Sequence, residues 1–201
     1  MPSDPHCEHC DAGVALEHVL KETANFRIVC DAHPLMEGHL LIIPKDHIAC
    51  MGELPPPLFQ EFIALHGQCA EFLRAHYGNM SAFEHGKIGQ TVLHAHTHLL
   101  PITIDASVIV PEGTDCLSPI ASIEELPLIF KHDGQYLFLQ IEDQLWTVDT
   151  ALGEPRFFRD RFASALGVPE RGDWKAMDKN AALMEAASVE IRRCKEHWNT
   201  R

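Results

Sequence analysis

The alternation of apolar and polar positions predicts short β-strands near the start of the chain. Residues 19–22 and 25–31 are rich in apolar and β-branched residues and are separated by only two residues, which is typical of a hairpin. Residues 40–43 form a continuous apolar run that ends at Pro44. Such a run predicts a strand buried on both faces, so we expect it to lie in the middle of the sheet.

One long helix is predicted next. Between residues 58 and 76, apolar side chains recur at helical spacing, and Gly78 follows the last of them, as is typical of an amphipathic helix and its end. Residues 80–84 and 91–101 predict two further strands, joined by a glycine-bearing loop at 85–89. The pattern of the first half therefore predicts an α+β fold.

The chain changes character after this half. Residues 102–123 contain prolines, a glycine and serines, which predicts a linker or surface loop. We expect one main domain at 1–103 and an appended extension at 104–201 that packs on it or extends it. Short apolar runs and helical spacing then predict strands at 126–130, 136–141 and 145–148 and helices at 156–166 and 178–198.

Charge and hydropathy narrow the function classes. The formal net charge of -13 argues against general binding to nucleic-acid backbones, which depends on many lysines and arginines. No run approaches the ~20 apolar residues that a membrane span needs, and the first residues lack a signal-peptide pattern. We therefore expect a cytoplasmic protein without a membrane partner.

Cysteines and histidines mark the first half as the chemical half. The chain has 7 cysteines, an odd number whose scattered spacing does not suggest a disulfide framework, so free thiols and a metal site explain them better. Most of the 14 histidines precede Pro101.

Three of these histidines alternate along one predicted strand. Successive side chains of a strand point to opposite faces, so His94, His96 and His98 are expected to project from one face. Three buried core histidines are the alternative, but each ring has two nitrogens that need partners when buried. The row therefore indicates a chemical surface.

The motifs around this row resemble those of the histidine triad superfamily. His94-Ala95-His96-Thr97-His98-Leu99-Leu100 resembles its His-φ-His-φ-His-φ-φ signature, where φ is apolar. Residues 89–92, Gly-Gln-Thr-Val, resemble its lead-in, and residues 38–47 resemble its Gly-His-x-φ-φ-φ-Pro-Lys-x-His strand. The resemblance implies a histidine-triad-like antiparallel sheet with a long helix packed on it, followed here by a C-terminal β/helical extension.

The resemblance also implies roles for individual residues. His96 would attack an α-phosphorus and form a covalent nucleotidyl-histidine, which suits a neutral imidazole with a pKa of ~6.5. Asp31 would bind the ribose hydroxyls, although it could be an ordinary turn residue, and Val29 would form a wall of the nucleobase pocket. The implied hydrogen-bond donors to the phosphoryl oxygens are His98, His39, Gln90 and Thr91.

The implied activity is nucleotide-phosphate hydrolysis or nucleotidyl transfer. Nucleoside phosphoramidates and dinucleoside polyphosphates are the implied substrates, and a homodimer is the implied assembly. Two other classes remain open: a metal-dependent hydrolase that uses the histidine row as ligands, and a nucleotide-binding protein with little turnover.

Cys7 and Cys10 form a Cys-x-x-Cys pair, which by itself is ambiguous between metal binding and redox chemistry. The resemblance implies that His47 and His94 complete a structural zinc site with this pair. His6 or His9 as a ligand, or no metal at all, are the alternatives.

Two features depart from the family pattern or lie outside it. Glu84 stands where relatives often carry an amide side chain near the phosphates. We expect it to act there as a proton donor or to determine which leaving group is accepted. The alternative is an ordinary loop carboxylate that is paired with Lys87, His85 or His98. Arg159 and Arg161, in the extension, could reach a distal phosphate, but a solvated helix face or pairing with acids is the stronger expectation.

Overall fold

A single antiparallel sheet organises the computed structural model, which describes residues 7–10 and 17–200. The eight strands are β1 (Val19–Glu22), β2 (Phe26–Cys30), β3 (Leu40–Pro44), β4 (Ser81–Gly86), β5 (Thr97–Leu100), β6 (Leu117–Ile120), β7 (Tyr136–Ile141) and β8 (Gln144–Val148). The helices are α1 (Pro56–Tyr77), α2 (Ala106–Ile109), α3 (Leu126–Asp133), α4 (Phe157–Ala165), α5 (Trp174–Met177) and α6 (Ala181–Asn199).

The strand order joins the two halves of the chain in one sheet. It runs β1-β2-β3-β5-β4-β7-β8-β6, and every neighbouring pair is antiparallel. The join is the β4–β7 ladder, in which Ser81 pairs with Ile141 and Gly86 with Tyr136. The extension therefore continues the sheet, whereas the domain boundary at residue 103 stays a prediction.

Each face of the sheet has its own apolar core because side chains alternate along the strands. Phe26, Ile28 and Phe138 point to one face, where α1 and α6 pack. Phe83 and Leu139 point to the other face, where α2 and α4 pack. The mixed α/β fold was predicted correctly, including the long helix packed on an antiparallel sheet.

Several predicted elements agree with the structure. The hairpin is formed by β1 and β2, the buried run by β3, and the amphipathic stripe by α1, which ends at Gly78 in a left-handed conformation (φ 90°). The predicted strands at 80–84, 136–141 and 145–148 correspond to β4, β7 and β8, and the last two predicted helices correspond to α4 and α6.

The prediction of a strand at 126–130 was wrong, because these residues begin helix α3. Ser122 and Glu125 form a capping box just before it, Pro127 lies in its first turn, and Gly134 ends it with φ 72°. These end signals favour a helix over a strand in a short apolar run.

The linker prediction for 102–123 was incomplete. Asp105 caps α2 through Ser107 N–H, and residues 117–120 form the edge strand β6. Pro119 lowers the strand signal of this segment, but an edge strand tolerates a residue that cannot donate a ladder hydrogen bond.

The prediction of a continuous strand from 91 to 101 was also wrong. Only Thr97–Leu100 is strand, and the residues before it make turn and loop contacts: His94 N–H donates to Val92 O and Ala95 N–H to Ile48 O. His94 and His96 therefore lie in a loop that leads into β5, and strand alternation does not set their directions.

In the described part of the chain, no helix has both the length and the apolar character needed to cross a membrane.

Candidate active site

His98 lies in the middle of the sheet, on the face that α4 covers. Its backbone pairs with Leu41 on one side and with Phe83 on the other. The rings of Phe83 and His98 are stacked, with centroids 4.3 Å apart. Phe158 and Phe162 of α4 pack against the same Phe83 ring. The position of His98 is thus held by both the sheet and the extension.

The backbone near His96 determines which of its nitrogens is free. Its Nδ1 lies 2.6 Å from the carbonyl oxygen of His94. A carbonyl can only accept, so Nδ1 carries the hydrogen and the Nε2 of a neutral ring keeps its lone pair. Burial lowers the pKa of His96, which favours the neutral form. His96 therefore has an unprotonated nitrogen available for nucleophilic attack.

A hydrogen-bond chain sets the tautomer of His98. Leu35 N–H donates to His39 Nδ1 over 3.1 Å, so the proton of neutral His39 is on Nε2. That Nε2 lies 2.9 Å from His98 Nδ1 and donates to it. Burial lowers the pKa of His39 to about 3, which keeps this ring neutral. His98 consequently carries its proton on Nε2 and can donate from it.

Asp31 lies directly after β2 and is held from two sides. Its Oδ1 accepts from His33 N–H at 2.9 Å, and its Oδ2 accepts from Arg159 Nη1 at 2.7 Å. Burial alone would raise the pKa of Asp31, but the charge of Arg159 and other contacts outweigh it and lower the pKa to about 2. Asp31 is therefore an ionised acceptor within the folded chain.

A cavity of about 270 Å³ brings several of the candidate residues together. Asp31, Thr91, His96 and His98 line it, whereas His39 contacts His98 and Asp31 from the side. The other lining residues are Glu8, His9, Ala32, His33, Leu41, Val92, Arg159, Trp174, Asp178 and Met184.

Gln90 and Val29 are placed differently from the expectation. Gln90 Nε2 donates to Ala49 O over 2.7 Å, so this amide contacts the loop after β3. Val29 is fully buried and packs with Leu41 and Ile43. Of this small cluster, Leu41 is the residue that lines the cavity.

Glu84 does not lie at the cavity, so the expectation that it acts near the phosphates was wrong. Glu84 points to the sheet face that α1 covers, opposite to His98, because it neighbours Phe83 on β4. Its two oxygens accept from Met51 N–H and from the Tyr136 hydroxyl, each over 2.7 Å. Burial raises the pKa of Glu84 to about 7. It is thus a core carboxyl group on the other side of the sheet.

The expected partners of Glu84 make other contacts. Lys87 Nζ lies 3.8 Å from Glu53, and His85 Nε2 accepts from Phe158 N–H over 3.2 Å. The second contact joins β4 to the first turn of α4. His85 therefore holds the extension against the sheet.

The C-terminal extension contributes site residues that the sequence analysis missed or left open. Arg159 is buried and paired with Asp31, while Arg161 makes a two-point ion pair with Glu112. Trp174 Nε1 donates to Thr91 Oγ1 over 3.2 Å. No local motif signals these contacts, because they join residues far apart in the chain.

Gly89 shows how closely the extension approaches the motif loop. It has φ 71°, and an added Cβ would collide with the carbonyl oxygen of Glu154. The carbonyl oxygen of Gly89 accepts from Arg156 N–H at 3.1 Å. A glycine is therefore required here both by its conformation and by the neighbouring segment.

His9 also lies at the cavity, although its sequence context suggested only a metal ligand. Its ring centroid lies 4.7 Å from that of His96, and its side chain lines the cavity. The Cys7–Cys10 turn, closed by Cys10 N–H donating to Cys7 O, holds His9 there. This turn therefore connects the cavity with the cysteine pair.

Cys7, Cys10, His47 and His94 converge beside the cavity. Their ligand atoms all lie within 4.8 Å of one another. His94 Nε2 lies 2.8 Å from Pro44 O and donates to it, which leaves the lone pair of Nδ1 facing the two sulfur atoms at 3.4 and 3.5 Å. Two thiols and two imidazoles, one fixed by a backbone carbonyl, fit the donor set of a closed zinc site.

Asp31, His39 and His98 form a second convergent group. His39 Nδ1 already accepts from Leu35, so a neutral His39 presents a proton, not a lone pair, to the other two residues. The Arg159 cation also lies against Asp31. These contacts favour a hydrogen-bonded network over a cation at this position.

Comparisons with known proteins agree with these observations. The family model described as the HIT domain matches residues 12–103. An uncharacterized HIT-like protein of Mycobacterium tuberculosis is 30% identical over 94 residues, which cover 45% of this chain and 65% of that protein. The chain thus spans slightly less than two thirds of the length of that relative.

A second relative is covered more completely. An adenosine 5'-monophosphoramidase of Candida albicans is 30% identical over 111 residues, which cover 50% of this chain and 73% of that enzyme. A solved HIT family protein from Bacillus anthracis aligns with a TM-score of 0.39 and 26% identity over 42% of this chain and 62% of that one. Together with the family model, the Candida relative shows that this chain belongs to the HIT, or histidine triad, family.

Proposed function

We propose that this protein cleaves nucleotide derivatives at the α-phosphate through a covalent nucleotidyl-histidine on His96, as a hydrolase or a nucleotidyltransferase. The observation that carries the proposal is the hydrogen bond from His96 Nδ1 to the carbonyl of His94, in a residue that lines a cavity. This bond leaves Nε2 as the nucleophile, and no separate base is needed to deprotonate it.

The proposed reaction has two displacements. In the first, His96 Nε2 forms a bond to phosphorus while the bond to the leaving group breaks, and the leaving group departs with the electron pair and takes a proton from solvent water. In the second, water or another acceptor attacks phosphorus, the bond between phosphorus and Nε2 breaks with its electron pair returning to His96, and the proton of the acceptor passes to solvent. Donors that line the cavity, His98 Nε2–H and the Thr91 hydroxyl, would stabilise the phosphoryl oxygens.

The remaining predicted donors take supporting roles in this proposal. His39 would act through His98, whose tautomer it determines. Gln90 would hold the loop that carries Thr91, since its amide donates to Ala49 O. Asp31 would accept from the ribose hydroxyls, and Leu41 would replace Val29 as the apolar wall.

The charges around the cavity favour phosphoramidates over dinucleoside polyphosphates. Glu8, Asp31 and Asp178 are acidic, and Asp178 Oδ1 lies 2.7 Å from His33 Nε2. Among the described residues, Arg159 is the one arginine of the lining, and it is paired with Asp31. The lining therefore holds more carboxyl groups than lysine and arginine side chains, which repels a chain of phosphates more than a leaving amine. The name of the Candida relative, an adenosine 5'-monophosphoramidase, supports the same choice.

We propose zinc as a structural ion held by Cys7, Cys10, His47 and His94. The ion would fix the loop before β5, whereas the reaction is assigned to the residues of the cavity. Bound zinc would supply rigidity through a closed set of four protein ligands.

His96→Ala should abolish hydrolysis of adenosine 5'-phosphoramidate, with a loss in kcat/KM of about 10³-fold or more, because the covalent route disappears. Steady-state kinetics on the full chain measure this. His132→Ala is the matched control, since that side chain is 87% exposed. Retained turnover in the His96 variant would contradict the proposal, and AMP binding without turnover in the unaltered protein would favour a binding protein.

A further inference from the structure

Arg159 makes more contacts than an ion pair needs. Only 6% of the residue is exposed. Besides Asp31, its guanidinium donates to the backbone oxygens of His33 at 2.8 Å, Arg171 at 3.2 Å and Gly172 at 3.3 Å. These bonds fix the orientation of the guanidinium, because a planar group with several fixed donors can satisfy all four acceptors in one position only.

The fixed guanidinium of Arg159 keeps the Asp31 carboxyl group ionised. Burial works against an ionised carboxyl group, and the Arg159 charge is the largest of the effects that oppose it. A carboxylate offers about four acceptor positions. His33 N–H and Arg159 Nη1 use two of them. His39 Nε2 also lies 3.5 Å from Oδ2. Because Asp31 lines the cavity, the positions that remain would accept from a pair of hydroxyl groups there.

We propose that Arg159 is a positioning residue that gives the cavity its preference for nucleotides with an intact ribose, by holding the Asp31 carboxylate in place. This inference rests on the proposed function, since it assumes that the cavity binds a nucleotide. It adds a specificity-determining residue that lies outside residues 12–103, the part matched by the family model. The C-terminal extension is then a part of the nucleotide site.

The same helix offers a matched control. Arg161 lies two residues further along α4 and pairs with both carboxylate oxygens of Glu112, at 2.6 and 2.8 Å. It also donates to Ile109 O. Its contacts fix α4 to α2 and the loop after it. Substitution of Arg161 therefore shows how the removal of an arginine ion pair from α4 affects the protein when Asp31 is left unchanged.

The test compares AMP with 2',3'-dideoxy-AMP, measured by titration calorimetry on the full-length chain. The unaltered protein should bind AMP about tenfold or more tightly than the dideoxy compound, because hydrogen bonds from the hydroxyls to a charged acceptor contribute strongly. Arg159→Gln and Asp31→Asn should each bring the ratio of the two affinities towards one. Arg159→Lys should restore part of the ratio, and Arg161→Gln should leave it unchanged.

Unpairing a buried charge can unfold a protein, so a second variant accompanies Arg159→Gln. The double variant Asp31→Asn with Arg159→Gln removes both charges. It should show the same affinity ratio as Asp31→Asn alone, and a similar affinity for AMP. A further loss of AMP affinity of about tenfold or more in the double variant would overturn the inference, since it would mean that Arg159 binds the phosphate directly.

A folded Arg159→Gln variant that keeps the full preference for AMP would also overturn it. Failure of the proposed function gives a different result. If the unaltered chain binds AMP with a ribose preference but does not cleave phosphoramidates, the catalytic proposal fails and the role of Arg159 is still tested. If it binds neither nucleotide, both proposals fail.

Discussion

The surroundings of the Glu84 carboxyl group are determined by the face of the sheet to which it points. Glu84 lies next to Phe83 on β4, and therefore points away from His98 into the core that α1 covers. A carboxyl group in that core is held by Met51 N–H and the Tyr136 hydroxyl, without a cation among its hydrogen-bond partners in the described residues. Burial raises the pKa of Glu84 to about 7, and the two hydrogen bonds only partly oppose this rise.

Glu84 should make stability depend on pH. Its ordinary pKa is 4.5, so between that value and about 7 the folded chain holds a proton that the unfolded chain has released. The free energy of unfolding should therefore fall as pH rises through this window, by at most about 3 kcal/mol. Glu84→Gln removes the titration. Urea unfolding at several pH values should show that the free energy of unfolding of this variant rises relative to that of the unaltered chain between about pH 5 and about pH 7.

Glu124→Gln provides the control, because Glu124 is exposed and lies before α3. It should follow the pH dependence of the unaltered chain. Parallel curves for Glu84→Gln and the unaltered chain would show that Glu84 is ionised throughout the window, contrary to this account.

At the scale of single residues, the sequence predicts which residues of a motif lie at the cavity better than it predicts side-chain pairs between distant segments. Asp31, Thr91, His96 and His98 line one cavity, and the last three belong to motifs in the first half. Arg159 and Asp31 are separated by 128 positions, and nothing in the sequence around either residue encodes that pairing. Side-chain partners of this kind are determined by tertiary packing, so pattern alone left Arg159 open.

At the scale of elements, the errors concern segments whose structure depends on their surroundings. The residues 91–96 have the apolar alternation of a strand, yet their backbone bonds to Ile48 O and to nearby turns. The segment 126–130 has an apolar run, but its capping residues favour helix α3. In contrast, α1 and β3 were predicted well because their patterns are long or uninterrupted.

The proposed zinc ion would hold the loop before β5 in place. The four ligands come from the Cys7–Cys10 turn, from His47 after β3 and from His94 in the loop. Protein purified without added zinc should contain about one ion per chain. Elemental analysis should show that Cys10→Ser loses the ion, and thermal unfolding should show that this variant melts at a lower temperature.

Cys116→Ser is the control for this experiment, since Cys116 is partly exposed and precedes β6. It should retain the ion. A content far below one zinc per chain in the unaltered protein would contradict a structural zinc site.

At the scale of the whole molecule, the first half of the chain and the extension share a sheet, a core and a cavity. The β4–β7 ladder joins their strands, and Phe158 and Phe162 pack on Phe83 beneath His98. Arg159 and Trp174 then reach the cavity itself. The extension therefore contributes directly to the candidate active site.

The predictions about the protein's surroundings have not been tested by the structure. A homodimer, a cytoplasmic location and the lack of nucleic-acid and membrane partners stay predictions, as does the division into domains at residue 103. The net charge of -13 remains the physical argument against binding to a nucleic-acid backbone.

The proposed reaction requires that His96 becomes covalently bonded to the nucleotide. Mass spectrometry of the full chain after brief incubation with adenosine 5'-phosphoramidate and rapid quenching, followed by peptide mapping, tests it most directly. We expect an adenylyl group on His96, at up to one per chain, and none on the His96→Ala variant. Turnover with no adduct on the unaltered chain, or an adduct on another residue such as His98, would contradict it.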